Sequence, residues 1–218
     1  MKLLGNNFSP NSNKVRFAAN AMGIAYEFQA VDLSKGEQRQ EPFLQINPVG
    51  RIPALVDGDF TIFESNSIMR YLAEKINSPL YPADLKKRSL VSQWLDFESI
   101  HISAMAMSKV FFNTVVYKLV QVEKNETLLR EGRQLLGNFL KIIEAQLEKG
   151  AYICGDELTL ADLNLLAILD PCESTGFDLG VFPNLMAWRT NLQEQKFYRT
   201  VFPETYTGFL EAVMQKKN

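Results

Sequence analysis

Residues 47–75 read NPVGRIPALVDGDFTIFESNSIMRYLAEK, and the fold can be worked outward from them. Asn47-Pro48 and Gly50 punctuate a loop. Ile52-Pro53-Ala54-Leu55-Val56 reads as a strand whose second residue is proline, a placement that suits an edge or a strand start. Asp57-Gly58-Asp59 is a hairpin turn signal, and Phe60–Phe63 is the returning strand. Ser65 or Asn66 can then cap a helix carrying Ile68, Tyr71, Leu72 and Lys75.

Upstream, residues 2–5 (KLLG) are a short apolar strand that ends at the loop FSPNS. From Asn13 the apolar residues Val15, Ala18, Ala19 and Met22 recur at helical spacing, and Gly23 reads as the residue past the helix end. Residues 25–33 alternate loosely and are rich in strand formers. The order β-α-β-loop-β-β-α therefore occupies the start of the chain, and we place an α/β domain over residues 1–77. NSPLYPADL, 77–85, has two prolines and no periodicity and reads as a linker. Everything after it has helical spacing. Leu90, Trp94, Phe97 and His101 open a long helix; further helices are expected over 126–149, after Leu158, and from Pro183. An all-helical domain over residues 87–218 follows from this. Thr159-Leu160-Ala161-Asp162 is a capping-box variant with Asp in the place of Glu or Gln.

Composition removes several function classes. With 218 residues the chain buries about 70% of its unfolded surface and needs no staple. Net charge is −2, and the basic run at 86–88 is too short to track a phosphate backbone, so no nucleic-acid partner is expected. No stretch reaches the roughly 20 apolar residues that span a bilayer, and MKLLGNNFSP is too briefly apolar for a signal peptide. The expected location is the cytoplasm, with no membrane contact. The two cysteines, Cys154 and Cys172, have neither redox-pair nor zinc spacing, and one histidine, His101, makes no metal centre. No metal is expected. His101 reads as a partly buried helix residue.

The loop FSPNSNKV, 8–15, holds Ser9 and Ser12 at the spacing of a Cys-x-x-Cys motif with both sulfurs replaced. Taken alone, Ser, Pro and Asn are ordinary residues for a loop entering a helix, with Asn11 or Ser12 as cap. The pieces N-P-x-G-x-I-P-x-L, D-G and F-E-S-x-x-I-x-x-Y-L within 47–75, in that order and spacing, closely resemble the first domain of the soluble glutathione transferases. GDELTLADL, 155–163, and FPNLMAWRTNLQEQKFY, 182–198, look like segments of that family's second domain, so the resemblance spans nearly the whole chain. It implies a thioredoxin-like N-terminal domain, an all-helical C-terminal one, and a homodimer.

Further implications follow residue by residue. Ser9 stands where the family meets the glutathione sulfur, with Asn11 beside it and basic Lys14 five residues on, as in the serine-type (theta-, phi- and nu-like) branches. No tyrosine precedes Ser9 that would replace it. A hydroxyl there cannot form a mixed disulfide but can donate to a thiolate and stabilise the charged thiol. Glu64 and Ser65 are implied to hold the γ-glutamyl ammonium and carboxylate, though as residues they equally suit a plain helix cap. Pro53 resembles the family's cis-proline, which would let the Ile52 backbone pair with the cysteinyl part of glutathione. Gln38, Arg39 and Arg51 are candidates for the glycyl carboxylate. Phe8, Met105, Ser108 and Phe112 are candidates for the pocket of a small hydrophobic electrophile. The implied function is a detoxifying transferase using glutathione as co-substrate. The alternatives are a glutathione-dependent disulfide reductase or peroxidase, suggested by Ser-Pro-Asn, and a non-catalytic binding or interaction protein of the same fold.

Overall fold

The computed structural model describes residues 1–203 and 205–209; the part of the helical domain expected beyond residue 209 lies outside the described residues. β1 (Lys2–Gly5) leads into α1 (Pro10–Ala21), which returns to β2 (Glu27–Ala30). β1 and β2 are parallel, with Leu3 opposite Phe28, so α1 is the crossover that a parallel pair requires. Two short 3-10 turns, Leu33–Lys35 and Glu37–Arg39, precede the single turn α2 (Glu41–Leu44). β3 (Ala54–Asp57) runs antiparallel to β1 and folds back as β4 (Phe60–Phe63), giving the order β2-β1-β3-β4. Asp57 pairs with Phe60, and Gly58 takes φ +65 at the first position of the two-residue turn, where a side chain would be strained. α3 (Ser65–Lys75) completes a thioredoxin-like layer of mixed sheet and helices.

Several boundaries differ from the sequence reading, each for a local reason. α1 starts at Pro10, not Asn13, because proline lacks the N–H that the first helical position leaves unused and already has a helical φ. Its cap is Ser9, not Asn11 or Ser12; Ser12 is buried and its hydroxyl accepts the Asn6 N–H instead. The strand expected over 25–33 forms only at Glu27–Ala30, an edge strand with one neighbour. β3 begins at Ala54, after Pro53, because a strand with neighbours on both sides cannot use a residue without an N–H.

The remainder is helical. α4 (Leu85–Phe97) runs on without a break through a wider, π-type winding at Glu98–Met107, then α5 (Ser108–Phe111), a second wide stretch at Phe112–Val116, and α6 (Tyr117–Val120). α7 (Glu126–Leu147), α8 (Leu160–Leu169), a 3-10 stretch Asp170–Thr175, α9 (Pro183–Glu194) and α10 (Lys196–Arg199) follow, and residues 206–209 form a further helical turn. α8 is buried on every side, as its all-round apolar sequence requires. It packs on α1, α3 and α4 and so joins the two halves. The segment read as a linker is docked there: Leu80 and Tyr81 are buried, and the Leu80 carbonyl accepts the Leu160 N–H at 2.9 Å. The capping box is present, and Asp162 also accepts the Ile153 N–H at 2.8 Å and the Trp188 indole at 3.0 Å.

Candidate active site

The end of β1, an interior strand, and the start of α1 place Ser9 in the loop past the strand's C-terminal end. Ser9 has an extended backbone (φ −85, ψ 113), and its hydroxyl accepts the Ser12 N–H at 3.3 Å, a long bond. Its carbonyl already takes the Ser12 and Asn13 N–H groups at 3.0 Å each. The hydroxyl proton has no acceptor among the described residues and is free to be donated outward. Behind it, α1 adds the positive potential of a helix start.

The loop entering α3 meets Ser9's neighbour. The Ser65 hydroxyl donates to Asn11 Oδ1 at 3.4 Å across 54 residues of sequence. The capping expectation for Ser65 or Asn66 is not met. Ser65 is the first helical residue, and the Asn66 amide donates to the Leu95 carbonyl at 3.2 Å and the Ser99 hydroxyl at 2.9 Å. The cap position belongs to Glu64, whose side chain makes no capping bond and is exposed. Glu64 holds φ +67 and ψ 109, a conformation that costs a non-glycine residue roughly 1–3 kcal/mol. Helix capping therefore accounts for neither Glu64 nor Ser65.

On the other side, Gly50 lets two loops touch. At its φ of +65 a Cβ would lie 3.1 Å from the Gln38 carbonyl and 3.8 Å from Arg39 Cγ. This brings Gln38 and Arg39 beside Gly50 and Arg51, whose carbonyl accepts the Asn47 amide. Arg39 and Arg51 are exposed, and Gln38 Oε1 is buried with no hydrogen-bond partner among the described residues. The Ile52–Pro53 bond is cis.

A family model described as "Glutathione S-transferase, N-terminal domain" matches residues 1–74, and its C-terminal counterpart matches residues 99–196. The chain belongs to the glutathione S-transferase family. It is similar to glutathione S-transferase F10 of Arabidopsis thaliana, 44% identical over 65% of this chain and 66% of that protein. Glutathione S-transferase 1 of Zea mays is 31% identical over 89% of this chain and 92% of the other. Among solved structures, glutathione transferase F7 from Populus trichocarpa superposes with a TM-score of 0.83 at 30% identity, covering 92% of this chain and 96% of that one.

Lys14 does not face the open side of this candidate site. It is buried 3.6 Å from the equally buried Glu98. Burial pushes the Lys14 ammonium down and the Glu98 carboxyl up, and each group partly offsets the other's shift. Asn164 and Ser99 also bond to the Glu98 carboxyl and favour its charged form, the Ser99 hydroxyl at 3.3 Å. The pair is a pillar between α1 and the Glu98–Met107 stretch, beneath the site.

The candidates for the electrophile side divide. Phe8 is half-buried beside Ser9. Met105, Ser108 and Phe112 are exposed at helical spacing, with no hydrogen bond or ring contact to Phe8 or Ser9 among the described residues. What touches Phe8 is the C-terminal turn that the sequence reading missed: the Tyr206 phenol donates to the Phe8 carbonyl at 3.0 Å, and the Phe209 ring lies 4.9 Å from the Phe8 ring. The available signal was the recurrence of aromatics at 197, 198, 202, 206 and 209, close to helical spacing.

Other titratable groups stand apart. His101 lies between the Phe97 and Phe139 rings, 5.1 Å from each, as a partly buried helix residue. Burial pushes the Cys154 thiol up to about 11 and the Cys172 thiol up to about 12, so neither is a thiolate near neutrality. Clefts of about 460 Å³ (with Leu4, Val31 and Phe43) and about 550 Å³ (with Asn20, Ile24 and Phe197) contain none of the expected site residues.

Proposed function

We propose that the protein conjugates glutathione to small apolar electrophiles, with Ser9 stabilising the thiolate of the bound tripeptide. The observation that carries this reading is the junction of Ser9-Pro10-Asn11 with Glu64-Ser65 through the Ser65–Asn11 hydrogen bond. One loop offers an uncommitted hydroxyl proton at a helix start. The other offers an exposed carboxylate on a strained backbone, and a hydroxyl. Ser9 would donate to the sulfur and lower its pKa, and Asn11 would support that loop. Glu64 would pair with the γ-glutamyl ammonium, while the N–H groups at the α3 start and the Ser65 hydroxyl, turning from its long bond to Asn11, would take its carboxylate. The Ile52 backbone would pair with the cysteinyl backbone in the manner of an added strand. Arg51 and Arg39, both exposed, and the side-chain amide N–H of Gln38 would hold the glycyl carboxylate. Phe8 would wall the electrophile from the first domain, with Met105, Ser108 and Phe112 contributing from the helical side.

Support also comes from a structurally similar protein: a glutathione S-transferase I from Mais, 28% identical with a TM-score of 0.84, was solved in complex with an atrazine glutathione conjugate. The same reading includes a cytoplasmic homodimer. No helix among the described residues is long and apolar enough to cross a membrane, and Phe60, Leu90 and Ile100 expose apolar surface that a second copy would cover. Sedimentation equilibrium tests the dimer.

The function is tested by calorimetric titration with glutathione, followed by turnover of an aryl halide, an organic hydroperoxide and a small mixed disulfide. Binding with the fastest turnover on the aryl halide is expected. Faster reduction of the disulfide or peroxide would replace conjugation by thiol exchange or peroxide reduction. Absence of glutathione binding would end the reading.

A further inference from the structure

A peptide plane has two handles, its N–H and its C=O, and holding both sets the direction of the residue that follows. The plane between Phe8 and Ser9 is held in this way. The Ser9 N–H donates to the Asn6 carbonyl at 3.0 Å, and the Phe8 carbonyl accepts the Tyr206 phenol at 3.0 Å. The second handle comes from 198 residues away. Tyr206 is itself firmly held. It is 1% exposed, its N–H donates to the Tyr198 hydroxyl at 3.3 Å, and its ring meets Phe202 edge-on at 5.6 Å. Its neighbour Thr207 donates to Glu173 at 2.7 Å. Tyr198 in turn packs 5.1 Å from Phe17 of α1, the helix that Ser9 caps. Burial pushes the pKa of the Tyr206 phenol up, so it keeps its proton and remains a donor across the physiological range.

We infer that Tyr206 is a positioning residue, fixing the Phe8–Ser9 peptide so that the Ser9 hydroxyl stays aimed at the thiol of bound glutathione. The inference rests on the role proposed for Ser9. It makes the end of the helical domain part of the thiolate-stabilising machinery, although Tyr206 itself reaches only the backbone of the loop. A phenol present for packing alone would support stability and leave the bound thiol's ionisation unchanged.

The test compares wild type, Tyr206→Phe, Ser9→Ala and the double variant, using glutathione and an aryl halide over a range of pH. Tyr206→Phe is expected to lower kcat about fivefold, the equivalent of one hydrogen bond. The apparent thiol pKa in the kcat/KM profile for the aryl halide at saturating glutathione should rise by about half a unit, with KM for glutathione unchanged within about twofold. The double variant should be no slower than Ser9→Ala alone, because both changes act on one group. A wild-type pH profile in Tyr206→Phe, or an equal fractional loss in both backgrounds, overturns the inference. Full activity in Ser9→Ala overturns the proposed role of Ser9 and this inference with it, an outcome visible in that single variant. Should Tyr206→Phe fail to fold, Thr207→Val loosens the same turn without touching the phenol. It should raise the thiol pKa in the same direction, and an unchanged profile there overturns the inference equally.

Discussion

The starts of α8 and α1 are both capped by a side-chain hydroxyl and leave it in opposite conditions. At α8, Thr159 caps the helix, and Asp162 accepts from the Thr159 backbone and hydroxyl, the Ile153 N–H and the Trp188 indole, all of it buried. At α1, Ser9 caps through one long bond, is half-buried and keeps its proton. The start of α3 goes further, with Glu64 in a strained conformation and no capping bond. A saturated cap holds a fold together. An unsaturated one leaves donors and charges available to a ligand, and the chain places two of these side by side.

The largest effect separating the two kinds of helix start should follow Asp162→Ala, which strands several buried donors at once. We expect a loss of about 4 kcal/mol in urea unfolding, with activity per folded molecule retained. A loss below about 1 kcal/mol would show that the α8 cap is not structural in the sense argued.

Glu64→Gly sharpens the contrast because its two effects should have opposite signs. Relief of the positive φ should hold stability or raise it by up to about 1 kcal/mol. KM for glutathione should rise about tenfold through the lost charge-assisted bond. Destabilisation with unchanged KM would make Glu64 a structural residue after all.

The third effect is smaller and belongs to the closed side. Burial raises Asp170 to about 7, partly offset by Arg189, Gln193 and Tyr198. An unfolded carboxylate titrates near 4, so between about pH 4 and about pH 7 the folded form binds the additional proton. Its contribution to stability is present at the lower end and is lost as pH rises through about 7. Unfolding free energies measured at about pH 5 and about pH 8 should show a decline in wild type that is flatter in Asp170→Asn. An equal slope in both would assign the pH dependence to other groups.

How much of this was legible in the sequence follows from the range of each interaction. The motif at 47–75 carries its turn, its hairpin and its helix locally, and the structure reproduces all three with small shifts. The capping box at 159–162 was equally local and is present. The wide winding at Glu98–Met107, whose buried residues Glu98, Ile102 and Ala106 recur every four positions, was read as ordinary helix because so short a stretch separates the two periods poorly. Capping chemistry misled at Ser65 and Asn66, where the residue types suit a cap but the backbone of Glu64 takes another course. The contact of Tyr206 with Phe8 joins opposite ends of the chain, and no local spacing announces it. Lys14 showed its charge in the sequence but not its burial, which depends on Glu98 arriving from the other domain.

The central claim is that Ser9 lowers the pKa of the thiol of bound glutathione. The most direct measurement is the ultraviolet absorbance of the thiolate in the binary complex, followed against pH for wild type and Ser9→Ala. A bound thiol titrating well below free glutathione in wild type, and rising by about one to two units in Ser9→Ala, is the result predicted. The same bound pKa in both proteins would contradict the account and leave Ser9 as only the cap of α1.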